Sequence, residues 1–311
     1  MVYILTTQRK TENHKGKPMT DPVEQVRALQ RKAADRNTSL KSGLSLELFA
    51  QGDLLPPVTD LAPSTLPEWS DAVRGVPNAI IRGALFAAVQ GKTRRYMKGE
   101  VVEQGDGMTI KFTGMQLDQS DLDVWETLIH ISRHTPKGEK FYFHAGAVLS
   151  YLGRPRGGDH YRWLNESINR MISGAVSITF DDRYTYSSNM LKAWKDEITQ
   201  DYIIQLDEQL LSLYSLGWTQ INWAQRDALR GKPIALWLHG WYCSHTNPED
   251  ISIDRIQQLC GSSNKNRDSF KAKVKAALEE IKEIGAIANY SVSRNGIVHV
   301  ERNPFNTLPG F

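Results

Sequence analysis

Apolar and polar positions follow two patterns along the chain, one typical of helices and one typical of strands. Apolar residues at helical spacing predict a helix over 117–132, with Ser120 and Asp121 as its N-terminal caps. Two strand-like runs around Gly105-Asp106-Gly107 predict a β-hairpin over 100–112. Residues 1–65 show helical spacing only over one short run, Val23–Ala34, and prolines crowd their C-terminal end, so this segment is predicted to be a flexible tail and linker.

One succession of elements occurs twice. Each copy has an upstream helix, a short helix that stops at Gly153 or Gly261, a polar turn, a longer helix and two strands. The upstream helices are predicted over 117–132 and 233–245, the longer helices over 159–173 and 266–284, and the strand pairs over 176–180 with 184–188 and 287–293 with 297–301. Asn295-Gly296 favours a type I′ turn in the second hairpin, because that turn needs positive φ at both central residues.

Three helices followed by a two-stranded hairpin form the winged version of the helix-turn-helix. The predicted fold class is therefore α+β, with two tandem winged-helix domains behind a flexible N-terminal tail. The predicted boundaries are 1–65 for the basic tail and proline-rich linker, 66–216 and 217–303 for the domains, and 304–311 for a C-terminal tail. An α+β protein in which two helix pairs resemble each other by chance is the alternative.

The long helix of the second copy has an apolar stripe on one side and a basic surface on the other. Phe270, Val274 and Leu278 belong to the stripe, which should pack against the upstream helix. A positive first half opposes the helix dipole, and this makes sense where DNA supplies the compensating charge. A solvated charged face is the alternative. The predicted DNA-binding residues are Asn264, Lys265, Arg267, Asp268 and Lys271 near base edges, Lys273 and Lys275 nearer phosphates, and Ser269.

The corresponding surface of the first copy is less basic, since Asp159 and Glu166 interrupt it. Contact with the DNA backbone is expected here, with little base reading, and a subunit interface is the alternative. The candidate residues are Arg154, Arg156, Arg162 and Asn169.

Charge is unevenly distributed along the 311 residues. The formal net charge is +3, but residues 1–41 alone carry nine basic and four acidic side chains, a net of +5, which leaves −2 for the rest. A basic tail on a near-neutral body favours a polyanionic partner. No apolar run approaches the roughly 18 residues of a membrane span, no signal peptide is recognisable, and Cys243 and Cys260 cannot form a disulfide framework. A cytoplasmic protein without membrane contact is expected.

Enzymatic signatures are incomplete. Gly91-Lys92-Thr93 resembles the end of a P-loop, but Phe86 stands where the first glycine is needed. His130 and His134 have the spacing of a zinc site, yet Ile131 replaces the required Glu, so both histidines are expected to face solvent. No catalytic residue, metal or cofactor is predicted.

A set of landmarks in order resembles one family over roughly 66–301. They are Val76-Pro77-Asn78, Arg82-Gly83-Ala84-Leu85-Phe86, Phe112-Thr113-Gly114, Val124-Trp125, Arg133-His134-Thr135-Pro136-Lys137-Gly138-Glu139, Leu152-Gly153 and Leu259-Cys260-Gly261-Ser262. The sequence resembles the TrfA family of plasmid replication initiators. The resemblance implies binding to direct repeats (iterons) at a plasmid origin, opening of adjacent AT-rich DNA, and recruitment of host DnaA, the DnaB helicase and the sliding clamp. It also implies an equilibrium between monomer and dimer that controls plasmid copy number.

The same resemblance assigns a short segment of the tail. Family members have a clamp-binding pentapeptide of the form Gln-Leu-Ser/Asp-Leu-Phe, and Ser45-Leu46-Glu47-Leu48-Phe49 occupies that place here, with Ser45 in place of the usual Gln. A segment that packs on its own domain is the alternative. For the whole chain, a transcriptional repressor with the same fold is the main rival, and a metal-dependent nickase is a third class.

Overall fold

The computed structural model describes residues 65–89, 94–105 and 107–303, all of which belong to one compact unit, Pro57–Phe311. The predicted tail over 1–65 lies outside the described residues except for Thr65, and so do the Gly91-Lys92-Thr93 motif and the predicted tail over 304–311. The helices are α1 (Asn78–Ile81), α2 (Gln119–Ser132), α3 (Ala145–Tyr151), α4 (Gly158–Ser173), α5 (Glu208–Ser212), α6 (Trp223–Ala228), α7 (Pro233–Cys243), α8 (Ile253–Leu259) and α9 (Arg267–Glu283), with a 3-10 helix at Leu213–Leu216.

The strands complete a mixed α and β fold. They are β1 (Val73–Pro77), β2 (Phe86–Ala87), β3 (Tyr96–Gly105), β4 (Met108–Met115), β5 (Leu117–Asp118), β6 (Lys140–His144), β7 (Ala175–Phe180), β8 (Tyr184–Asn189), β9 (Leu191–Lys195), β10 (Asp201–Leu206), β11 (Trp218–Asn222), β12 (Ile251–Ser252), β13 (Ile287–Val292) and β14 (Ile297–Arg302). They pair in the orders β1-β11, β2-β5, β3-β4-β7-β8, β6-β10-β9 and β12-β14-β13.

The predicted helix over 117–132 begins two residues later than expected. Leu117 and Asp118 form a short strand, and the cap of α2 is Asp118, whose side chain accepts hydrogen bonds from the backbone N–H groups of Ser120 and Asp121. The assignment of Ser120 and Asp121 as caps was therefore wrong. The Asp121 carboxylate instead accepts a hydrogen bond from the Asp118 N–H, which completes a capping box.

The repeated succession of elements is confirmed, down to the way in which each short helix ends. Gly153 and Gly261 have φ of 60° and 64°, the left-handed region that glycine enters without a steric penalty. After each glycine the next backbone N–H bonds back to the last turn: Arg154 to the Leu149 carbonyl at 2.8 Å, and Ser262 to the Gln257 carbonyl at 3.2 Å. The chain therefore turns into the longer helix in the same way in both copies.

The two hairpins differ in their surroundings. Strand β7 pairs with β4, so the first hairpin is part of a four-stranded sheet, whereas the second forms a small sheet with only β12. The predicted type I′ turn was wrong, since only Gly296 has positive φ in the loop over 293–296. The Ser293 hydroxyl accepts the Ile297 N–H at 2.9 Å, which stabilises this longer loop.

Two hydrophobic cores fill the unit. The larger one joins β1, α2, α4 and the sheets around them, and the smaller one lies between α7, α8, α9 and the β13–β14 hairpin. Ile221 on β11 belongs to the larger core, because β11 pairs with β1. The division into domains at 66–216 and 217–303 stays a prediction.

The expectation that His130 and His134 both face solvent was wrong for His130. The His130 ring is fully buried, accepts a hydrogen bond from the Trp69 indole at 3.1 Å and approaches Asp71 at 3.2 Å. Burial lowers its pKa to about 4, so the ring is neutral at physiological pH. His134 is exposed, as expected.

Candidate nucleic-acid interface

The turn that leads into α9 is built from side-chain hydrogen bonds. Asn266 caps the helix by accepting the Ser269 N–H at 2.8 Å, and the Asn264 side chain accepts the Asn266 N–H at 3.0 Å. Asn264 and Ser269 are therefore engaged with their own turn, and Lys265 between the two asparagines is exposed.

The two faces of α9 are sharply different. Phe270, Val274, Leu278 and Ile281 are fully buried in the smaller core, as the apolar stripe predicts. The opposite side is exposed, and its side chains lie outside the core at helical spacing. Its first half carries Lys265, Asp268, Ala272, Lys273, Lys275 and Ala276, and its last turns carry the exposed acids Glu279 and Glu283.

Three lysines of this surface are available to a ligand. Lys265, Lys273 and Lys275 are exposed, and their ammonium groups have no ion-pair partner among the residues that the structure describes. An exposed ammonium group without an internal partner can donate to a base edge or a phosphate without giving up a contact within the protein.

Two predicted base-contacting residues are held by the protein itself. Arg267 forms a two-pronged ion pair with Asp254 of α8, with distances of 2.8 Å and 3.1 Å, and this pair lowers the pKa of Asp254. Lys271 donates to the carbonyl of Arg294 at 3.0 Å and so fastens α9 to the hairpin loop. Both side chains turn toward neighbouring elements of the protein, and their contact with base edges stays a prediction.

Sequence reasoning missed three residues of this surface. Ala272 and Ala276 lie one turn apart at the centre of the exposed face, where small side chains permit close approach to a groove. Arg294 lies at the hairpin tip, is exposed, and has a guanidinium without a partner among the described residues. The spacing of the two alanines, away from the apolar stripe, could have indicated from the sequence that they lie on the exposed side of α9. The position of Arg294 depends on how the hairpin folds back on α9.

In the first copy the four candidates separate into two groups. Arg162 and Asn169 are exposed on the outer face of α4, where Arg162 pairs with Asp159 at 3.2 Å. Arg156 is exposed and donates to the Ser150 hydroxyl at 3.0 Å. Arg154 does not belong to this surface: its guanidinium stacks on Trp163 at 3.7 Å, and burial lowers its pKa. The contact of Arg154 with DNA stays a prediction, and of the four candidates it is the one that an aromatic ring partly covers.

Helix α6 contacts both copies of the repeated unit. Arg226 is 1% exposed, and its Nε lies 2.6 Å from Asp123 and 3.3 Å from Glu126, both on α2. On the other side, Gln225 donates to the carbonyl of Ile284 at the end of α9, at 3.1 Å. Burial raises the pKa of Glu126 to about 7. The short α6 thus contacts α2 of the first copy and the C-terminal end of α9 in the second copy.

The described residues contain no group of three or more His, Cys, Asp or Glu side chains that could hold a metal ion. Both cysteines have free thiols; Cys260 is buried and Cys243 partly buried, and burial raises their pKa values to about 12 and 11. Both thiols are therefore protonated and poor nucleophiles at neutral pH. No described helix is both long and apolar enough to cross a membrane.

Comparison with known proteins gives a family match. The family model described as TrfA protein matches residues 57–302. The plasmid replication initiator protein TrfA of Escherichia coli is 25% identical over 252 residues, which cover 78% of this chain and 64% of that protein. This chain thus spans slightly less than two thirds of that relative's length.

Among solved structures, the crystal structure of selenomethionine derivatives of domains 2 and 3 of RctB superposes with a TM-score of 0.51 at 14% identity. The match covers 73% of this chain and 99% of that one. A second structure of RctB domains 2-3 gives a TM-score of 0.44 at 11% identity and covers 71% and 94% of the two chains. The first of these matches shows a shared fold.

Proposed function

Because the chain belongs to the TrfA family, we propose that it initiates plasmid replication by binding double-stranded DNA at the plasmid origin. The observation that carries this proposal is the amphipathic α9, whose apolar side is buried while unpaired lysines and small alanines line its exposed side. That combination suits a helix that enters the major groove.

The proposed binding mode uses both copies as winged helix-turn-helix units. In the second copy, α8 and α9 form the helix pair and the β13–β14 hairpin is the wing. The Lys271 contact with the Arg294 carbonyl supports this, because it fixes the wing beside the reading helix. In the first copy, Arg156, Arg162 and Asn169 are proposed to contact the DNA backbone.

Two unlike units on one chain favour direct repeats over palindromes. Each unit covers one major groove, and successive major grooves on one face of DNA are about 34 to 36 Å apart. A single chain with a stronger and a weaker unit reads an asymmetric site, and several chains then line up on repeated sites in one direction. Iterons at a plasmid origin have this arrangement.

Opening of the adjacent AT-rich DNA is proposed to draw on binding energy. Each base-pair step costs about 1.4 kcal/mol of stacking, so several bound copies, negative supercoiling and host proteins must contribute. Host DnaA, the DnaB helicase and the sliding clamp are the proposed partners. The clamp segment Ser45–Phe49 lies outside the described residues; substitution of Leu48 and Phe49 by Ala should abolish capture of the clamp and leave DNA binding intact.

Footprinting on the DNA that flanks the gene tests the central proposal. The expected result is protection of several direct repeats of about 20 base pairs, roughly two helical turns, beside an AT-rich segment. Lys265→Ala should weaken binding to the repeats by about 1 to 3 kcal/mol and leave binding to random DNA nearly unchanged. Protection of one inverted repeat, or of nothing, would count against an initiator.

A further inference from the structure

A cleft runs along the flank of α9 that faces the start of α7, and its volume is about 590 Å³. The walls of this α7–α9 cleft come from the turn before α9, from α9 itself and from the first residues of α7. The side chains that matter here are Ser263, Lys273, Ala276, Glu280 and Lys232. Lys273 and Ala276 also belong to the exposed surface of α9, so the cleft is continuous with the surface that is proposed to read DNA.

The dimensions of duplex DNA favour a phosphate backbone as the occupant of this cleft. The major groove is about 12 Å wide, and an α-helix with its side chains is about 10 to 12 Å across. A helix that enters the major groove therefore leaves little space on either side, and the two backbones that border the groove pass along its flanks. With α9 in the major groove, one of these backbones lies along the α7–α9 cleft.

The α7–α9 cleft has the charge and the length to hold a short run of phosphates. Two lysines and one glutamate line it, which gives a net charge of +1. Along α9, Lys273 lies two turns, about 10 Å, from Glu280, and Lys232 lies at the Glu280 end. Phosphates of one strand repeat about every 3.4 Å along the duplex axis, so this distance spans about three of them. The exposed Ser263 hydroxyl is a further donor for a phosphate oxygen.

Lys232 already has an anionic partner within the protein. Its ammonium group lies 3.2 Å from the Glu280 carboxylate, and the two side chains are 46% and 29% exposed. Lys232 is the N-cap residue of α7, but its side chain makes no capping hydrogen bond, so it is not needed to begin the helix. An ion pair in contact with water is weak. A phosphate that enters the cleft can therefore replace the carboxylate at little cost.

We propose that Lys232 contacts the DNA backbone and that Glu280 competes with the phosphate for it. The exchange rests on the proposed binding of duplex DNA by α9. Phosphate contacts carry no sequence information, so Glu280 lowers the affinity for every duplex by the same factor. Lys232 and Glu280 thus set the overall strength of binding, whereas the exposed residues at the start of α9 set the preference for a sequence.

A double-mutant cycle on the full chain tests the competition. Dissociation constants are measured for an origin duplex and a random duplex at several salt concentrations. Lys232→Ala should weaken binding to both duplexes by the same factor and flatten the slope of log affinity against log salt concentration by about 0.9. Glu280→Gln should tighten binding to both duplexes about 1.5- to 5-fold, the strength of an exposed ion pair. The double variant should bind like Lys232→Ala, because Glu280 acts only through Lys232.

Two matched variants separate the proposed exchange from general electrostatics. Glu279→Gln removes the same charge from the same turn of α9, but the Glu279 carboxylate accepts a hydrogen bond from the Tyr290 hydroxyl at 2.9 Å. Its effect on affinity should therefore be the same with and without Lys232. Lys232→Arg keeps a cation that can reach a phosphate, so it should keep the salt slope of the natural protein. Thermal unfolding of all these variants should be nearly unchanged.

The outcomes distinguish this contact from the proposed function. If Lys232→Ala leaves the salt slope unchanged, or if Glu280→Gln tightens binding equally without Lys232, the exchange at Lys232 is overturned. The proposed function survives either result, because the natural protein still binds the origin duplex in preference to the random one. If the natural protein binds neither duplex, the proposed function and the exchange at Lys232 fail together.

Discussion

Salt dependence gives the sharpest test of the lysines on α9. Each phosphate that a lysine neutralises contributes about −0.9 to the slope of log affinity against log salt concentration. Lys273 and Lys275 are exposed and unpaired, so neither side chain has to give up an internal contact to reach a phosphate. Replacing both by Ala should therefore flatten the slope by about 1.8.

The measurement is a titration of fluorescent origin DNA at several salt concentrations between 50 and 200 mM. Over that fourfold range, each neutralised phosphate reduces affinity about 3.5-fold, so the two substitutions together change the salt-induced loss about 12-fold. Lys282→Ala is the matched control, because Lys282 lies on the same helix but at its last turn, 3.4 Å from the Asn289 side chain. An unchanged slope in the double variant, or an equal change in the control, would refute the assignment of α9 as the DNA-contacting helix.

Other predictions concern the reading face and the buried charges. Ala272→Leu keeps a good helix former at an exposed position, so thermal unfolding should be unchanged while origin binding weakens; equal binding would place α9 outside the groove. Asp121→Asn should cost about 3 to 5 kcal/mol in urea unfolding, since fully buried Asp121 pairs with two arginines, whereas Asp159→Asn at an exposed pair should cost less than about 1 kcal/mol. Glu126→Gln removes a carboxyl group whose pKa burial raises to about 7. The raised pKa contributes fully to the stability of the folded state below pH 4.5, and this contribution to the free energy of unfolding is lost as pH rises from 4.5 through 7. The stability of Glu126→Gln relative to the natural protein should thus increase by up to about 3 kcal/mol between pH 4.5 and 7, and a pH-independent difference would contradict the raised pKa.

The repeated unit could be predicted because its signals are local. Gly153 and Gly261 stop helices through their own backbone conformation, and the apolar stripe of α9 depends only on spacing within seventeen residues. Such features do not depend on the rest of the chain. The hairpin loop shows the limit of this reasoning, since Asn295-Gly296 indicated one turn type and a hydrogen bond from Ile297 to the Ser293 side chain selected another.

Pairings across long stretches of sequence could not be predicted. Strand β1 pairs with β11 across more than 140 residues, and β6 pairs with β10 although the sequence between them contains a whole hairpin. Short apolar runs indicate strands but not their partners. The partners of the Arg267 and Lys271 side chains could not be predicted for the same reason. The sequence places both residues on α9, but only the fold brings Asp254 and the hairpin loop within their reach.

The buried contacts of α6 have a consequence for how a single chain meets DNA. Arg226 is enclosed by two carboxyl groups of α2, and removing one member of such a group leaves an uncompensated buried charge that costs several kcal/mol. If both copies bind DNA as proposed, these contacts hold them in one arrangement before DNA binds, which lowers the entropic cost of ordering them. A fixed arrangement also fixes the separation of the two contacted grooves. Arg226→Met should loosen that separation, so binding to a site with one inserted base pair should improve relative to the natural site, and gel-shift titration of the two sites measures the ratio. If the natural protein and Arg226→Met tolerate the insertion equally, the contacts of α6 do not set the separation of the two contacted grooves.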